Sequence, residues 1–161
     1  MLFWFVGASF LTIWLVFRDP GFDHRLVMVG ALAPDVIDGP WGAPRFAHTV
    51  LASVVVMTVV MFGTQGKRLL RRQLLALPIG MFLHLVFDAM WADTSTFWWP
   101  LAGLEFRGDQ LPSIERGLFN IPLELAGIAV MIWAWKRFRL GENNRRSLFI
   151  KTGRLGRDLL D

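Results

Sequence analysis

Four long apolar segments dominate the chain and restrict what it can fold into. They cover residues 1–17, 46–63, 73–91 and 119–135. The first contains no charged residue, and as a helix it would extend roughly 26 Å, close to the ~30 Å hydrocarbon thickness of a bilayer. Hydrophobic residues make up 54% of the chain, above the roughly 45–50% that is usual in a soluble domain. The segments therefore predict an all-α integral membrane bundle of about four transmembrane helices.

Two alternatives accompany this prediction. The chain could instead be a soluble helical bundle of unusually apolar composition. Residues 1–17 could also be a cleaved signal peptide, which would begin with basic residues and end at a small-residue cleavage site. No Lys or Arg precedes Arg18, and this favours an uncleaved helix.

Two shorter apolar segments, 26–33 and 97–104, cannot span a bilayer as helices. The first is predicted to be a short helix that packs at the interface or enters the protein. The second is aromatic and interrupted by Pro100, which is typical of an interfacial anchor. Residues 1–140 are predicted to form a single transmembrane domain. Residues 141–161 would be a basic cytoplasmic tail that lies on anionic headgroups or is disordered.

The distribution of basic residues predicts an orientation. Twelve of the seventeen Lys and Arg residues lie in the 64–72 loop or after residue 135, and five lie in the 18–45 and 92–118 loops. Cytoplasmic segments of membrane proteins carry the excess of Lys and Arg. Both termini are therefore predicted to be cytoplasmic in the cytoplasmic membrane, with the other two loops external. This asymmetry accounts for the net charge of +4 without a nucleic-acid partner.

Ionisable residues gather where the apolar segments meet the predicted external face. Such groups cost roughly 2.5–3.5 kcal/mol each within a bilayer and persist when they are paired, solvated or bound to metal. Imidazole and carboxylate ligands suit zinc, with manganese or iron as alternatives, and a chain without Cys cannot form a thiolate site. We therefore expect one polar, metal-binding site at this face. The group comprises Asp35, Asp38, His48, His84, Asp88 and Glu124.

Each member of this group also has a simpler interpretation. His84 and Asp88 are four residues apart, so they share a helix face and could hydrogen-bond each other. Glu124 could pair with an arginine such as Arg45 or Arg116. The two aspartates of the first loop could be turn or cap residues, and the histidine at the start of the second segment could make an ordinary polar contact. The evidence for a site is that all six residues are predicted to lie at the same depth in the membrane.

These motifs resemble the YdjM-like family of predicted membrane-bound metal-dependent hydrolases. That family's pattern is Pro-Asp-x-Asp-His, then His-Arg-x-x-Thr-His-Ser, then His-x-x-x-Asp followed by Trp-Pro, and then a Glu that opens a last helix. The order and approximate spacing agree over residues 30–125. Ile37 and Asp38 stand where the family has Asp and His, and Pro44 stands where it has the first His of the second motif. The matching segments are Pro34-Asp35-Val36-Ile37-Asp38, Pro44-Arg45-Phe46-Ala47-His48-Thr49, His84-Leu85-Val86-Phe87-Asp88, Trp99-Pro100 and Glu124.

The resemblance implies a membrane-bound hydrolase of a lipid-linked phosphoester that holds one or two metal ions. Under this hypothesis His48, His84 and Asp88 hold the metal, and Asp35 and Glu124 complete the site. Asp38 or Glu124 would accept the proton of the attacking water, and Arg45 would contact the phosphate. The altered positions imply a reduced metal count or a loss of activity.

Two functions of other classes stay open beside the hydrolase. One is a non-catalytic scaffold or partner-binding protein whose polar cluster is structural. The other is a small transporter, although the predicted cytoplasmic halves of the segments are almost wholly apolar.

Overall fold

The computed structural model describes residues 1–19, 21–106 and 110–156, and this part of the chain forms helices and turns with no strand. The all-α prediction is confirmed. Short 3-10 turns connect several helices, among them Phe46–His48, Met90–Ala92 and Gly117–Phe119. The α-helices are α1 (Leu2–Phe17), α2 (His24–Asp38), α3 (Val50–Gly63), α4 (Arg68–Leu74), α5 (Ala76–Phe87), α6 (Thr94–Phe97), α7 (Pro112–Glu115), α8 (Asn120–Arg137) and α9 (Asn143–Thr152).

Two helical stretches are long and apolar enough to cross a membrane. They are the 20 residues Arg68–Phe87, which combine α4 and α5, and the 21 residues Gly117–Arg137, which contain α8. The apolar helices α1 and α3 have 16 and 14 residues, so they extend only about 24 and 21 Å. Large apolar side chains on α3 and α8 are exposed, as on a lipid-facing surface. Examples are Val54, Met57, Val59, Phe62, Ile121, Leu125, Ile132 and Trp135.

Helix α2 lies in the centre of the bundle, so segment 26–33 enters the protein, the second of its two predicted placements, and is not an interfacial helix. The helix has 15 residues and is capped by Asp23, whose side chain accepts backbone N–H groups of the first turn. Val27 is fully buried. At the crossing of α2 with α5, Gly30 and Gly80 face each other so closely that a Cβ on Gly80 would overlap the backbone oxygen of Val27. Small residues at both positions therefore permit backbone contact.

Helix α1 runs parallel to α8. The Phe3 N–H donates to Glu124 at the start of α8, whereas the Trp14 ring packs against Phe138 just after its end. We call the end that carries Glu124 and the start of α3 the upper end, and the end that carries the 64–72 loop the basic end. Arg72 of that loop pairs with Asp19, so the turn after α1 lies at the basic end.

Among the described residues, residue 1 lies at the upper end, beside Glu124, and residues 139–156 lie at the basic end. The prediction of a shared face for the two termini counted four passes through the bundle, whereas α2 adds a fifth.

The corrected path strengthens the charge asymmetry. Arg18 and Arg25 move to the basic end, so fourteen of the seventeen Lys and Arg residues belong to that end by sequence position. Only Arg45, Arg107 and Arg116 belong to the upper end. Arg107 and Arg157 enter this count from the sequence and lie outside the described residues.

The basic tail is folded as far as residue 156. Helix α9 forms its first part, and the His24 N–H donates to the carbonyl oxygen of Gly153. Leu155 is buried beside Phe10 and Phe138. The disordered alternative therefore does not apply to residues 143–155, and the prediction for residues 157–161 lies outside the described residues.

Replacing Gly80 by Ala should destabilise the bundle. The added methyl group overlaps backbone atoms of α2, and overpacking of this kind costs about 1–3 kcal/mol. The matched control is Gly63→Ala, because a Cβ at Gly63 meets no atom within 4 Å. Thermal unfolding in detergent should show a lower Tm for Gly80→Ala alone. Equal Tm values for the two variants would contradict the close crossing of α2 and α5.

Candidate metal centre

The structure brings together Asp35, His48 and His84, which come from three separate segments of the chain. Asp35 lies in the last turn of α2, His48 ends the 3-10 turn before α3, and His84 lies in the last turn of α5. Asp35 Oδ1 is 3.5 Å from His48 Nε2 and 3.7 Å from His84 Nε2. The three atoms all lie within 4.8 Å of one another, in an arrangement that could hold a metal ion.

These atoms are buried, and none has a hydrogen-bond partner among the described residues. An unsatisfied buried polar atom is costly, so three that face one another point to a ligand. Tetrahedral ligands about 2.1 Å from a zinc ion lie about 3.4 Å apart, close to the observed separations of 3.5 and 3.7 Å. The donor set and these two separations are therefore compatible with a bound metal ion.

The second nitrogen of each imidazole is held by the protein. His48 Nδ1 lies 2.8 Å from Asp38 Oδ2, and His84 Nδ1 lies 2.7 Å from the carbonyl oxygen of Ala31. Both contacts favour a proton on Nδ1 and leave the Nε2 lone pair available. Metal-binding histidines are usually oriented in this way by a carboxylate or a backbone carbonyl.

Asp38 organises the turn that presents His48. Its carboxylate accepts the backbone N–H groups of Arg45 and His48 at 2.8 and 3.2 Å. Asp38 is 1% exposed and its acceptors are engaged. It therefore positions His48, and this geometry lends no support to the prediction that it takes a proton from water.

Asp88 lies at the edge of the group. Its Oδ2 is 3.9 Å from His84 Nε2, too far for the hydrogen bond that the simpler interpretation of this pair required. Asp88 Oδ1 is 3.0 Å from a guanidinium nitrogen of Arg116, and the same arginine donates to the Asp88 backbone carbonyl. Asp88 therefore lies beside the group, paired with Arg116 through Oδ1, while its Oδ2 faces His84.

Two predicted site residues are not part of the group. Glu124 accepts the Phe3 N–H at 2.8 Å and lies 3.8 Å from the Met1 nitrogen. It thus satisfies an orphan donor at the start of α1 and ties that helix to α8. The Arg45 side chain is exposed and lines a separate cavity with Glu105. The ligand role of Glu124 and the phosphate role of Arg45 therefore lack support in this geometry.

Arg116 is the site residue that sequence reasoning did not select. It was considered only as a partner for Glu124, whereas the structure pairs it with Asp88. Its position in the sequence could have indicated this contact. Arg116 lies just before the last apolar segment, and Asp88 lies near the end of the third, so both are expected at the same level of the bundle.

His24 is also buried but belongs to a different environment. Its Nδ1 lies near the carbonyl oxygens of Phe22 and Gly153, at the basic end. At about 1.5 Å per residue, the start of α2 is roughly 16 Å from Asp35. His24 is therefore a matched control for the two histidines of the group.

No protein-family model, curated protein or solved structure matches the chain. The case for a site therefore rests on the geometry of its own residues.

Metal content should depend on His84 but not on His24. Purified wild-type protein should carry near-stoichiometric zinc, manganese or iron, because the buried donors fit a divalent ion. His84→Ala should lose most of it, and His24→Ala should keep it. Elemental analysis of detergent-purified protein measures this directly. Equal metal content in His84→Ala and His24→Ala would contradict the site.

Replacing Asp38 by Asn should weaken metal binding without abolishing it. The amide keeps the size of the side chain but no longer pairs a carboxylate with the His48 imidazole. Loss of such an orienting partner typically costs 10–100-fold in metal affinity. Competition with a zinc chelator gives the affinity, and an unchanged affinity would show that Asp38 does not position His48.

Proposed function

We propose that the chain is a membrane-bound, metal-dependent hydrolase of a lipid-linked phosphoester, with zinc as its metal. One observation carries the proposal. The Nε2 atoms of His48 and His84 and the Oδ1 atom of Asp35 meet in a buried space without hydrogen-bond partners. The motifs that resemble the YdjM-like hydrolases contain these three residues.

The residues divide the chemistry among them. Asp35, His48 and His84 would hold the ion, which when bound lowers the pKa of a coordinated water toward about 7 and polarises a phosphoryl oxygen. Asp88 Oδ2 has no hydrogen-bond partner among the described residues and is suited to accept the proton of a water. Arg116 lies beside it and would neutralise the phosphate by a bidentate contact.

A cavity of about 310 Å³ at the upper end is lined by Asp88 and Arg116, together with Asp93, Glu115 and four apolar residues. It borders Asp88, which lies beside His84. We propose that the phosphorylated headgroup enters here, where Arg116 would contact the phosphate.

The proposed setting is a bundle in the cytoplasmic membrane in which the four predicted spans, α1, α3, α4 with α5, and α8, surround the central α2, which adds a fifth pass. The two long apolar helices and the exposed apolar side chains of α3 and α8 support it. Because basic residues concentrate at one end, that end would face the cytoplasm and the metal site would face outward. The exposed Trp98 would then lie at headgroup depth.

A non-catalytic scaffold with a structural metal site is the second candidate. The observation in its favour is burial, since the side chains of His48 and His84 are 0% exposed. Structural zinc sites are closed, whereas catalytic sites keep a position open for water or substrate. The Asp35 side chain is 21% exposed, but its Oδ1 atom is buried, so an activity assay has to separate the two candidates.

The zinc-loaded protein should release the phosphorylated headgroup from phosphatidylcholine or inorganic phosphate from phosphatidic acid in mixed micelles. Arg116→Gln should lower kcat about 100-fold, as loss of a donor to transition-state charge does, while the zinc content stays constant. Arg45→Gln should change kcat less than 10-fold because its side chain is exposed. Full zinc occupancy without release from either lipid would favour the scaffold.

Accessibility tags should place the two ends of the chain on opposite faces. A tag at residue 1 should be external and a tag after residue 161 cytoplasmic, because five helical passes separate them. Protease protection in spheroplasts and inverted vesicles distinguishes the faces. Two tags on the same face would contradict the parallel packing of α1 and α8.

A further inference from the structure

A deep apolar groove lies between α3 and α5, outside the residues of the metal site. It has a volume of about 400 Å³. One wall is a helical stripe of Val50, Val54 and Met57 on α3, and the facing wall includes Ile79 and Leu83 on α5. The spacings of three, four and seven residues place each set on one helix face.

The groove begins beside the metal site. Val50 follows His48 by two residues, and Leu83 directly precedes His84, so the upper end of the groove lies within about one helical turn of both imidazoles. From Val50 to Met57 it runs about 10 Å along α3 toward the basic end. The proposed metal ligands thus lie near one end of this apolar groove, which matches an amphiphile with an anionic head.

Ser53 is the polar exception in the wall. It is 5% exposed, and its hydroxyl has no hydrogen-bond partner among the described residues. Thr58 and Thr64 follow in and just after the same helix, and both hydroxyls donate to backbone carbonyls one turn earlier. A buried hydroxyl without a partner is costly, so Ser53 points to a ligand that brings an acceptor to this depth.

We propose that this groove binds one acyl chain of an ester-linked phospholipid, whose phosphate lies at the metal site and whose ester carbonyl accepts a hydrogen bond from Ser53. The proposal rests on the proposed function and names the substrate class. An acyl ester has an acceptor between its phosphate and its chain, whereas a polyprenyl phosphate has none beyond the phosphate. Ser53 therefore favours the ester.

The first test is photolabelling of the full-length, zinc-loaded protein in detergent. The probe is a lysophosphatidic acid with a diazirine on its acyl chain, and mass spectrometry locates the adducts. Labels should lie on the facing stripes of α3 and α5. Val54→Phe should reduce labelling at least fivefold because it fills the groove. Val55→Phe is the matched control, since Val55 has nearly the same exposure, 40% against 42%, and does not line the groove.

Labels spread over α8, or equal labelling of the two phenylalanine variants, would overturn the proposal. The second test separates ester from other lipids. Wild-type protein should bind the ester-linked probe about 3- to 10-fold more tightly than its 1-O-alkyl ether analogue, the range expected for one hydrogen bond. Ser53→Ala should remove this preference and should stay folded, because the hydroxyl has no protein partner to lose.

A polyprenyl phosphate that competes as well as the ester, or a preference that survives in Ser53→Ala, would contradict the role of Ser53. The tests also separate the two proposals, since labelling requires no turnover. Groove labelling without hydrolysis counts against the hydrolase alone. Hydrolysis of phospholipid without groove labelling counts against the groove alone.

Discussion

The structure depends on how an apolar bundle tolerates buried histidines and carboxylates. Each imidazole has one nitrogen that the protein satisfies and one that it does not. Asp38 and the carbonyl of Ala31 hold the Nδ1 atoms, and the Nε2 atoms turn toward Asp35 at distances too long for good hydrogen bonds. Such an arrangement loses stability unless something binds in the space. A divalent cation removes this cost, so metal binding and folding of the upper end should be coupled.

The helix crossings explain why these atoms meet. The contact between His84 Nδ1 and the Ala31 carbonyl oxygen requires the backbones of α2 and α5 to lie in contact. Gly30 and Gly80 permit this because neither has a side chain at the crossing. His84 lies one turn beyond Gly80 on α5. At the other crossing, Gly127 of α8 would overlap the backbone of Phe3 if it carried a Cβ. Small residues at the crossings, rather than large apolar contacts, thus set the positions of the ligands.

The helical class and the core of the site could be predicted from the sequence, because both follow from local patterns. Apolar segments predict helices, and polar residues at their ends must lie near one another when the segments are antiparallel neighbours. Asp35, His48, His84 and Asp88 were found in this way. The same reasoning also selected Glu124, but its carboxylate instead accepts a backbone N–H at the start of α1. No local pattern distinguishes a metal ligand from a carboxylate that caps a neighbouring helix.

The path of the chain could not be predicted for a related reason. Segment 26–33 is too short to be predicted as a transmembrane helix from its sequence. Close packing at Gly30 nevertheless places α2 in the centre of the bundle. This additional pass reverses α1 relative to the other helices and moves residue 1 to the upper end. The role of Arg116 could not be predicted either, because its contact with Asp88 depends on tertiary packing and not on a local sequence pattern.

The central claim is that two imidazoles share one metal ion, and X-ray absorption at the zinc edge tests it most directly. We predict that the detergent-purified, zinc-loaded protein shows scattering from two histidine rings. The remaining ligands should be oxygen, with all distances about 2.0–2.2 Å. A spectrum with one imidazole or none, from protein that retains stoichiometric zinc, would show that the ion binds elsewhere and would contradict the account.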